Sequence, residues 1–167
     1  MVITHKEQRV AVLIDVQNMY HSAKNLYGKK VNFSEILKTS VGERKLIRAF
    51  AYVVRTKTGE EKPFFEALSK LGLETRVRDL QEFYGGMKKA DWDVGITIDA
   101  VKSATGVDVI VLVSGDGDFI QLVEYLKNQG KRVEVLAFDK STSARLKEIA
   151  DDFIDLGEMP DKYLLKK

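Results

Sequence analysis

The stretch Val109-Ile110-Val111-Leu112-Val113-Ser114-Gly115-Asp116-Gly117-Asp118-Phe119 decides how the rest of this 167-residue chain is read. Five apolar residues in a row, most of them β-branched, suit a strand covered on both faces rather than one with a wet side. Two glycines and two aspartates break the run, and Phe119, Leu122, Val123 and Leu126 then recur at helical spacing. The pattern predicts a strand, a tight turn and an amphipathic helix, with carboxylates presented at the C-terminal edge of a sheet. One acid would suffice to cap the free N–H groups of a helix start, so Asp116 and Asp118 together, beside Ser114, exceed what capping requires. Hard oxygen ligands in such a turn suit magnesium or manganese.

The same grammar opens the chain. Val10-Ala11-Val12-Leu13-Ile14 is an apolar run that ends in Asp15, and a helix is expected from there to about Asn25. Asp15 and Asn18 therefore stand where a strand gives way to a helix, and the Asn18 amide could orient a phosphate or a water. His21 sits on this helix, but with His5 as the only other histidine no imidazole cluster can form.

Between these two units the periodicity predicts a short helix through Phe33, Ile36 and Leu37 and a second strand over 45–53. A polar loop over 55–62 follows, in which Arg55 and Lys57 could meet a phosphate chain. Pro63 suits an early helical turn, and Phe64, Phe65, Leu68 and Leu71 form a core-facing stripe. A third strand over 73–77 alternates charged with apolar or small residues, as an edge strand does. Residues 81–90 are the least regular part and carry the basic pair Lys88 and Lys89. Asp91 or Asp93 then starts a helix through Val94, Ile98 and Val101. An ideal helix turns Asp99 about 120° away from Asp93. Beyond the central turn come a fifth strand over 132–138, a helix capped within Ser141-Thr142-Ser143, and a short apolar segment, Phe153 to Leu156, that could add a strand.

Composition narrows the classes. With 44% hydrophobic residues the chain can bury one good core, and one domain over 9–157 is expected, with tails over 1–8 and 158–167, the latter basic. There is no cysteine, which excludes disulfides, thiolate nucleophiles and sulfur-ligated zinc and suits the cytoplasm. Nowhere do eighteen apolar residues run together, so no membrane partner is expected. Lys plus Arg number 27 against 25 for Asp plus Glu, a net charge of +2 that neither demands nor forbids nucleic acid. Strands alternating with helices argue for an α/β domain built on a parallel sheet, and right-handed crossovers would bring Asp15 close to Asp116 and Asp118.

These motifs also carry a family likeness. Leu13-Ile14-Asp15-Val16-Gln17-Asn18, Lys89 with Asp93-Val94 and Asp99, Val113 to Phe119, and Gly130-Lys131-Arg132-Val133 together resemble the NYN branch of the PIN-like nuclease fold, and within it the LabA-like bacterial proteins. The resemblance implies a three-layer PIN-like domain with a mainly parallel sheet in strand order 3-2-1-4-5. It also implies an acidic Mg2+ or Mn2+ site and hydrolysis of RNA phosphodiester bonds, endonucleolytic and acting on single strands. It carries over Asp15, Asn18, Asp93, Asp116 and Asp118 as catalytic residues, the four aspartates as metal ligands, and Asp91, Asp99 and Ser114 as secondary candidates. One stretch departs from the pattern. Where the family has lysine-glycine-valine before its aspartate, this chain has Lys89-Ala90-Asp91-Trp92-Asp93, which leaves open whether Asp91 or Asp93 is the inward acid.

Arg55, Lys57, Lys88 and Lys89 are the expected nucleic-acid contacts, and a homodimer is compatible with this reading. Two other classes use the same residues: a non-catalytic regulatory protein that binds metal and nucleic acid, and a phosphatase acting on small esters. An aspartyl-phosphate mechanism is disfavoured because no second aspartate follows two positions after Asp15, and a dinucleotide fold because the first turn lacks a glycine-rich phosphate loop.

Overall fold

The computed structural model describes residues 5–83, 87–89 and 91–166, and the side chains of residues 81–90 fall outside that description. Its centre is a sheet whose two middle strands are the apolar runs, β1 (Arg9–Asp15) and β6 (Val109–Val113). Around them lie β2 (Lys45–Arg55), β3 (Glu74–Asp79), β7 (Arg132–Ala137) and β8 (Asp152–Asp155). The order is β3-β2-β1-β6-β7-β8, and every neighbouring pair is parallel. The five-strand order 3-2-1-4-5 is thus corrected by a sixth strand. The segment Asp152–Asp155 pairs with β7 in register, Val135 opposite Phe153, so the sheet does not end at its fifth strand.

Helices cover both faces, which is why the central strands read as unbroken apolar runs. On one face Val10, Val12 and Ile14 pack with α1 (Val16–Tyr27), α2 (Phe33–Val41) and α3 (Lys62–Lys70). On the other, Ala11 and Leu13 pack with α4 (Asp93–Ala104), α5 (Ile120–Asn128) and α6 (Ala144–Ile149). The result is a three-layer α/β fold. Helix α1 ends two residues later than its apolar spacing predicts because Gly28, at φ 64°, takes the left-handed turn and donates its N–H to the Lys24 carbonyl.

Two other segments depart from expectation. The irregular stretch after β3 contains a short antiparallel pair, β4 (Gln81–Phe83) with β5 (Met87–Lys89). The stretch read as a basic tail over 158–167 packs back through a short helix, α7 (Pro160–Tyr163). There Tyr163 and Leu164 are buried, and the Tyr163 hydroxyl lies 2.8 Å from Thr39 Oγ1. Among the described residues no helix is long and apolar enough to cross a membrane.

The parallel arrangement sends the C-terminal ends of all six strands to one edge. Chain order runs outward from β1 in both directions, to β2 on one side and β6 on the other, so a crevice opens between β1 and β6 where α/β sheets of this kind hold ligands.

Candidate functional site

Register places the first pair of polar residues. Ile14 stands opposite Val113, so Asp15 and Ser114, the next residue on each chain segment, meet at the strand ends. The Ser114 hydroxyl donates to Asp15 Oδ2 at 3.1 Å, and Asp15 Oδ1 accepts from the Asn18 N–H at 3.2 Å as the N-cap of α1. Asn18 in turn accepts from the Gly115 N–H at 3.0 Å, which ties the first turn of α1 to the loop after β6. Ser114 Oγ also accepts from the Asp116 N–H at 3.2 Å, and Asp116 Oδ1 accepts from the Asp118 N–H at 2.8 Å. The glycines are there for room. A Cβ on Gly115 would meet Thr142 Oγ1 at 2.8 Å and the Ser141 carbonyl at 2.9 Å, so the loop before α6 closes directly on this turn.

The third acid comes from α4. Asp93 is its first helical residue, and Asp91 Oδ1 accepts the Asp93 N–H at 3.2 Å from just outside the helix. Oxygens of Asp93, Asp116 and Asp118 lie within 4.8 Å of one another, with Asp93 and Asp116 half-buried and Asp118 exposed. Asp93, not Asp91, joins this cluster. Asp15 lies behind it, only 8% exposed, its oxygens held by Ser114 and Asn18.

Crowding of like charges shows in the titration. Burial, then a hydrogen bond with Asp118, then the charges of Asp116, Asp91 and Asp118 push the Asp93 carboxyl up to about 7. Burial pushes Asp15 up to about 6, outweighing the hydrogen bonds from Asn18 and Ser114 that favour its anion, with Asp116 and Asp91 adding to the rise. Carboxylates at this spacing repel one another unless a proton or a cation sits among them. The donor set consists of hard oxygens alone, which fits Mg2+ or Mn2+ and not a soft metal.

Other expected residues are not members of this trio of carboxylates. Asp99 is held by the Tyr52 hydroxyl at 2.8 Å and by Arg76 Nε at 2.7 Å, away from the cluster. Arg55 is exposed and pairs with Asp79 at 2.8 Å, and Lys57 is exposed in the loop that follows. Lys88 and Lys89 belong to β5, and their side chains fall outside the described residues.

The positioning role of Trp92 was not foreseen. Its indole N–H donates to the Val53 carbonyl at 3.0 Å, its ring lies 5.3 Å from that of Tyr52, and the Arg78 guanidinium stacks 4.4 Å above it. Gly95 leaves space for the ring, which a Cβ there would strike. The residue immediately before Asp93 is therefore pinned to β2, and this fixes where α4 begins. The lone tryptophan of the chain, lodged between two aspartates, was the signal available in the sequence.

A parallel α/β sheet with acids converging at its switch point is the arrangement expected of a PIN-like domain, and the comparisons agree. The model of the NYN domain matches residues 9–157, and the chain belongs to the NYN family. Within that family it falls in the LabA-like branch. It is 28% identical over 162 residues to the low amplitude and bright protein LabA of Synechococcus elongatus, covering 92% of this chain and 87% of that one. It is also 28% identical over 154 residues to the uncharacterized protein MJ0482 of Methanocaldococcus jannaschii, covering 91% of this chain but 57% of that longer protein. Among solved structures, VPA0982 of Vibrio parahaemolyticus, a protein of unknown function, superposes with a TM-score of 0.87 at 32% identity, over 98% of this chain and all of that one. Membership of this PIN-like family points to nuclease-like function in general.

Proposed function

We propose that this protein is a metal-dependent ribonuclease that cuts single-stranded RNA endonucleolytically. The observation that carries the reading is the meeting of Asp93, Asp116 and Asp118 within 4.8 Å at the switch point of the sheet. These three would hold the ion, with Asp15 adding negative charge from behind. When bound, Mg2+ or Mn2+ supplies a Lewis acid for the phosphodiester and activates water at neutral pH.

The protein's own groups set the geometry. The Asp118 N–H holds one oxygen of Asp116, which leaves the other for a ligand. Ser114 spans Asp15 and the Asp116 backbone, so the acids of β1 and β6 are fixed relative to each other before any substrate arrives. The Asn18 amide oxygen is bound to Gly115, and its NH2 supplies a donor for a phosphate oxygen beside Asp15. Arg55, Lys57, Lys88 and Lys89 belong to segments that leave the same sheet edge, and they would carry the RNA backbone past the acids without reading sequence. The ion pair of Arg55 with Asp79 is exposed, so a phosphate can replace the carboxylate at little cost.

The test is incubation of nuclease-free wild type and Asp116→Asn with end-labelled single-stranded RNAs, with manganese, magnesium or EDTA. Internal cleavage by the wild type with metal, and by neither EDTA-treated nor variant protein, is the expected result. Equal cleavage by both proteins would overturn it. Binding of RNA without turnover would make the protein a regulatory binder, and hydrolysis of small phosphate esters with intact RNA would make it a phosphatase.

A further inference from the structure

At the edge of the sheet opposite the acids, cations outnumber carboxylates around a second concavity. An open cleft of about 360 Å³ is lined by Gln8, Lys127, Gly130, Lys131, Arg132 and Asp151, three cations against one carboxylate. Register fixes how far it lies from the proposed metal site. Arg132 opens β7 opposite Val109, the first residue of β6, whereas the acidic turn follows Val113 at the other end of that strand. Four steps along β6, at about 3.3 Å each, put about 13 Å between the two edges, so a small ion held here does not touch the acids. Gly130, Lys131 and Arg132, which supply half of the lining, have no part in the site described above.

Both lysines of the lining are anchored. Lys127 Nζ donates to the Ile149 carbonyl at 2.8 Å, and Lys131 Nζ to the Val107 carbonyl at 3.0 Å. An ammonium has three donors, so each lysine keeps two after this anchoring. The one carboxylate of the lining is committed elsewhere: Asp151 Oδ2 accepts the Val133 N–H at 2.8 Å, and its Oδ1 lies 3.9 Å from Lys127 Nζ, too far for a hydrogen bond. Asp108, whose charge Lys131 also feels, is matched by Arg9 at 3.0 Å. Arg132 brings a charge that its own partner does not balance. Its Nε donates to Glu134 at 2.8 Å, but the same buried carboxylate takes two hydrogen bonds of 2.9 Å from Arg44, whose other acceptors, the Ser40 and Val41 carbonyls and Gln8, are neutral. Two guanidiniums therefore share one counter-charge. Arg132 Nη2 is buried with no hydrogen-bond partner among the described residues, so Arg132 acts on the cleft through its charge and not by offering that N–H to a ligand. A positive charge buried without a full counter-charge favours an anion beside it.

We propose that this cleft binds a phosphate monoester, with the Lys127 and Lys131 ammoniums as donors, an inference independent of the ribonuclease reading. A phosphate monoester carries a charge of about −1.5 to −2 at neutral pH and three strong acceptor oxygens. That suits two ammonium groups and an under-compensated guanidinium, whereas a carboxylate brings one charge and two oxygens. The Gln8 Oε1 accepts from Arg44, which leaves the Gln8 NH2 as a neutral donor on the same lining. The volume falls within the range of small-ligand sites, about 300–1,000 Å³, so there is room for the group that carries the phosphate, a nucleoside or the 5′ end of an RNA.

Inorganic phosphate tests the site without metal or RNA. The isotopically labelled full chain in EDTA is titrated with phosphate, ionic strength being held constant with chloride, and backbone amide signals are followed. Gly130, Lys131, Arg132 and Asp151 should shift along one saturating curve. Lys127→Gln and Lys131→Gln each keep a donor for the carbonyl partner and lose only the charge, so each should weaken phosphate several-fold, and the two together more than either alone. Lys70→Gln, on α3, should change nothing. Adenosine monophosphate and a 5′-phosphorylated RNA, each set beside its 5′-hydroxyl form, identify the source: tighter binding of the nucleotide than of phosphate assigns the cleft to small nucleotides, tighter binding of the RNA assigns it to RNA ends, and either supports the site. Absence of saturable shifts at the cleft, equal shifts from chloride alone, or undiminished phosphate affinity in the folded double variant overturns the proposal.

Discussion

Asp15→Asn should make the metal-free protein more stable at neutral pH, although the aspartate is hydrogen-bonded on both oxygens. Asp15 is 8% exposed, and burial moves its carboxyl from 3.8 to about 6. An acid raised on folding gives its full contribution to stability while protonated, below about pH 4, and loses it as pH climbs through about 6. The difference between those limits is about 3 kcal/mol. Asparagine keeps the bond from the Asn18 N–H but turns an N–H toward Ser114, whose hydroxyl must then find another acceptor, a loss of about 1 kcal/mol. The variant should therefore be about 2 kcal/mol more stable than wild type near pH 7.5 and about 1 kcal/mol less stable near pH 4. Urea unfolding in EDTA across that range, with matched slopes, measures both ends. Parallel stability curves for the two proteins, without a crossing between about pH 4 and 6, would refute the argument.

Manganese should raise the thermal midpoint of the wild type by the amount its binding dictates, about 2.7 kcal/mol at a hundredfold excess over the dissociation constant, and this gain should vanish in Asp116→Asn. Differential scanning fluorimetry reads it, and an equal gain in both proteins would remove Asp116 from the metal site. Gly115→Ala forces a methyl group against Thr142 and the Ser141 carbonyl, so it should cost about 1–3 kcal/mol in denaturant unfolding and impair cleavage as well. Arg44→Met removes both hydrogen bonds, each 2.9 Å, that Arg44 gives to the buried Glu134. Arg132 remains as a partner at 2.8 Å, so a loss of about 3 kcal/mol is expected, with activity per folded molecule unchanged.

Much of this architecture was readable because its signals are local. An unbroken apolar run such as Val109 to Val113 has few homes besides a doubly covered strand, and a glycine-rich acidic turn after it places carboxylates at a sheet edge wherever the helix goes. What escaped depends on partners far along the chain. Asp15 looks equivalent to Asp116 in sequence, yet register sets it against Ser114 and leaves it behind the cluster. The choice between Asp91 and Asp93 rests on Trp92, whose anchor is the Val53 carbonyl, thirty-nine positions earlier. Phe64 falls on an apolar stripe with Leu68, but only part of that stripe is covered, with Leu68 buried and Phe64 and Leu71 exposed, and spacing alone does not reveal which part. Glu134 gave no warning at all, since a buried charge in a central strand is tolerable only because Arg44 and Arg132 meet it there.

The Ser114 hydroxyl gives to Asp15 and receives from the Asp116 backbone. One rotatable O–H bond therefore sets the direction of the whole chain of contacts, and it points toward β1 only while an acceptor stands there. If the hydroxyl swings away from position 15, its lone pairs swing as well, the Asp116 N–H loses its partner, and the acidic turn relaxes although none of its own residues has changed. A loss of cleavage in Asp15→Asn would then report a displaced Asp116 as readily as a missing ligand, whereas Ser114→Ala, which removes no carboxylate, would expose the wiring by itself.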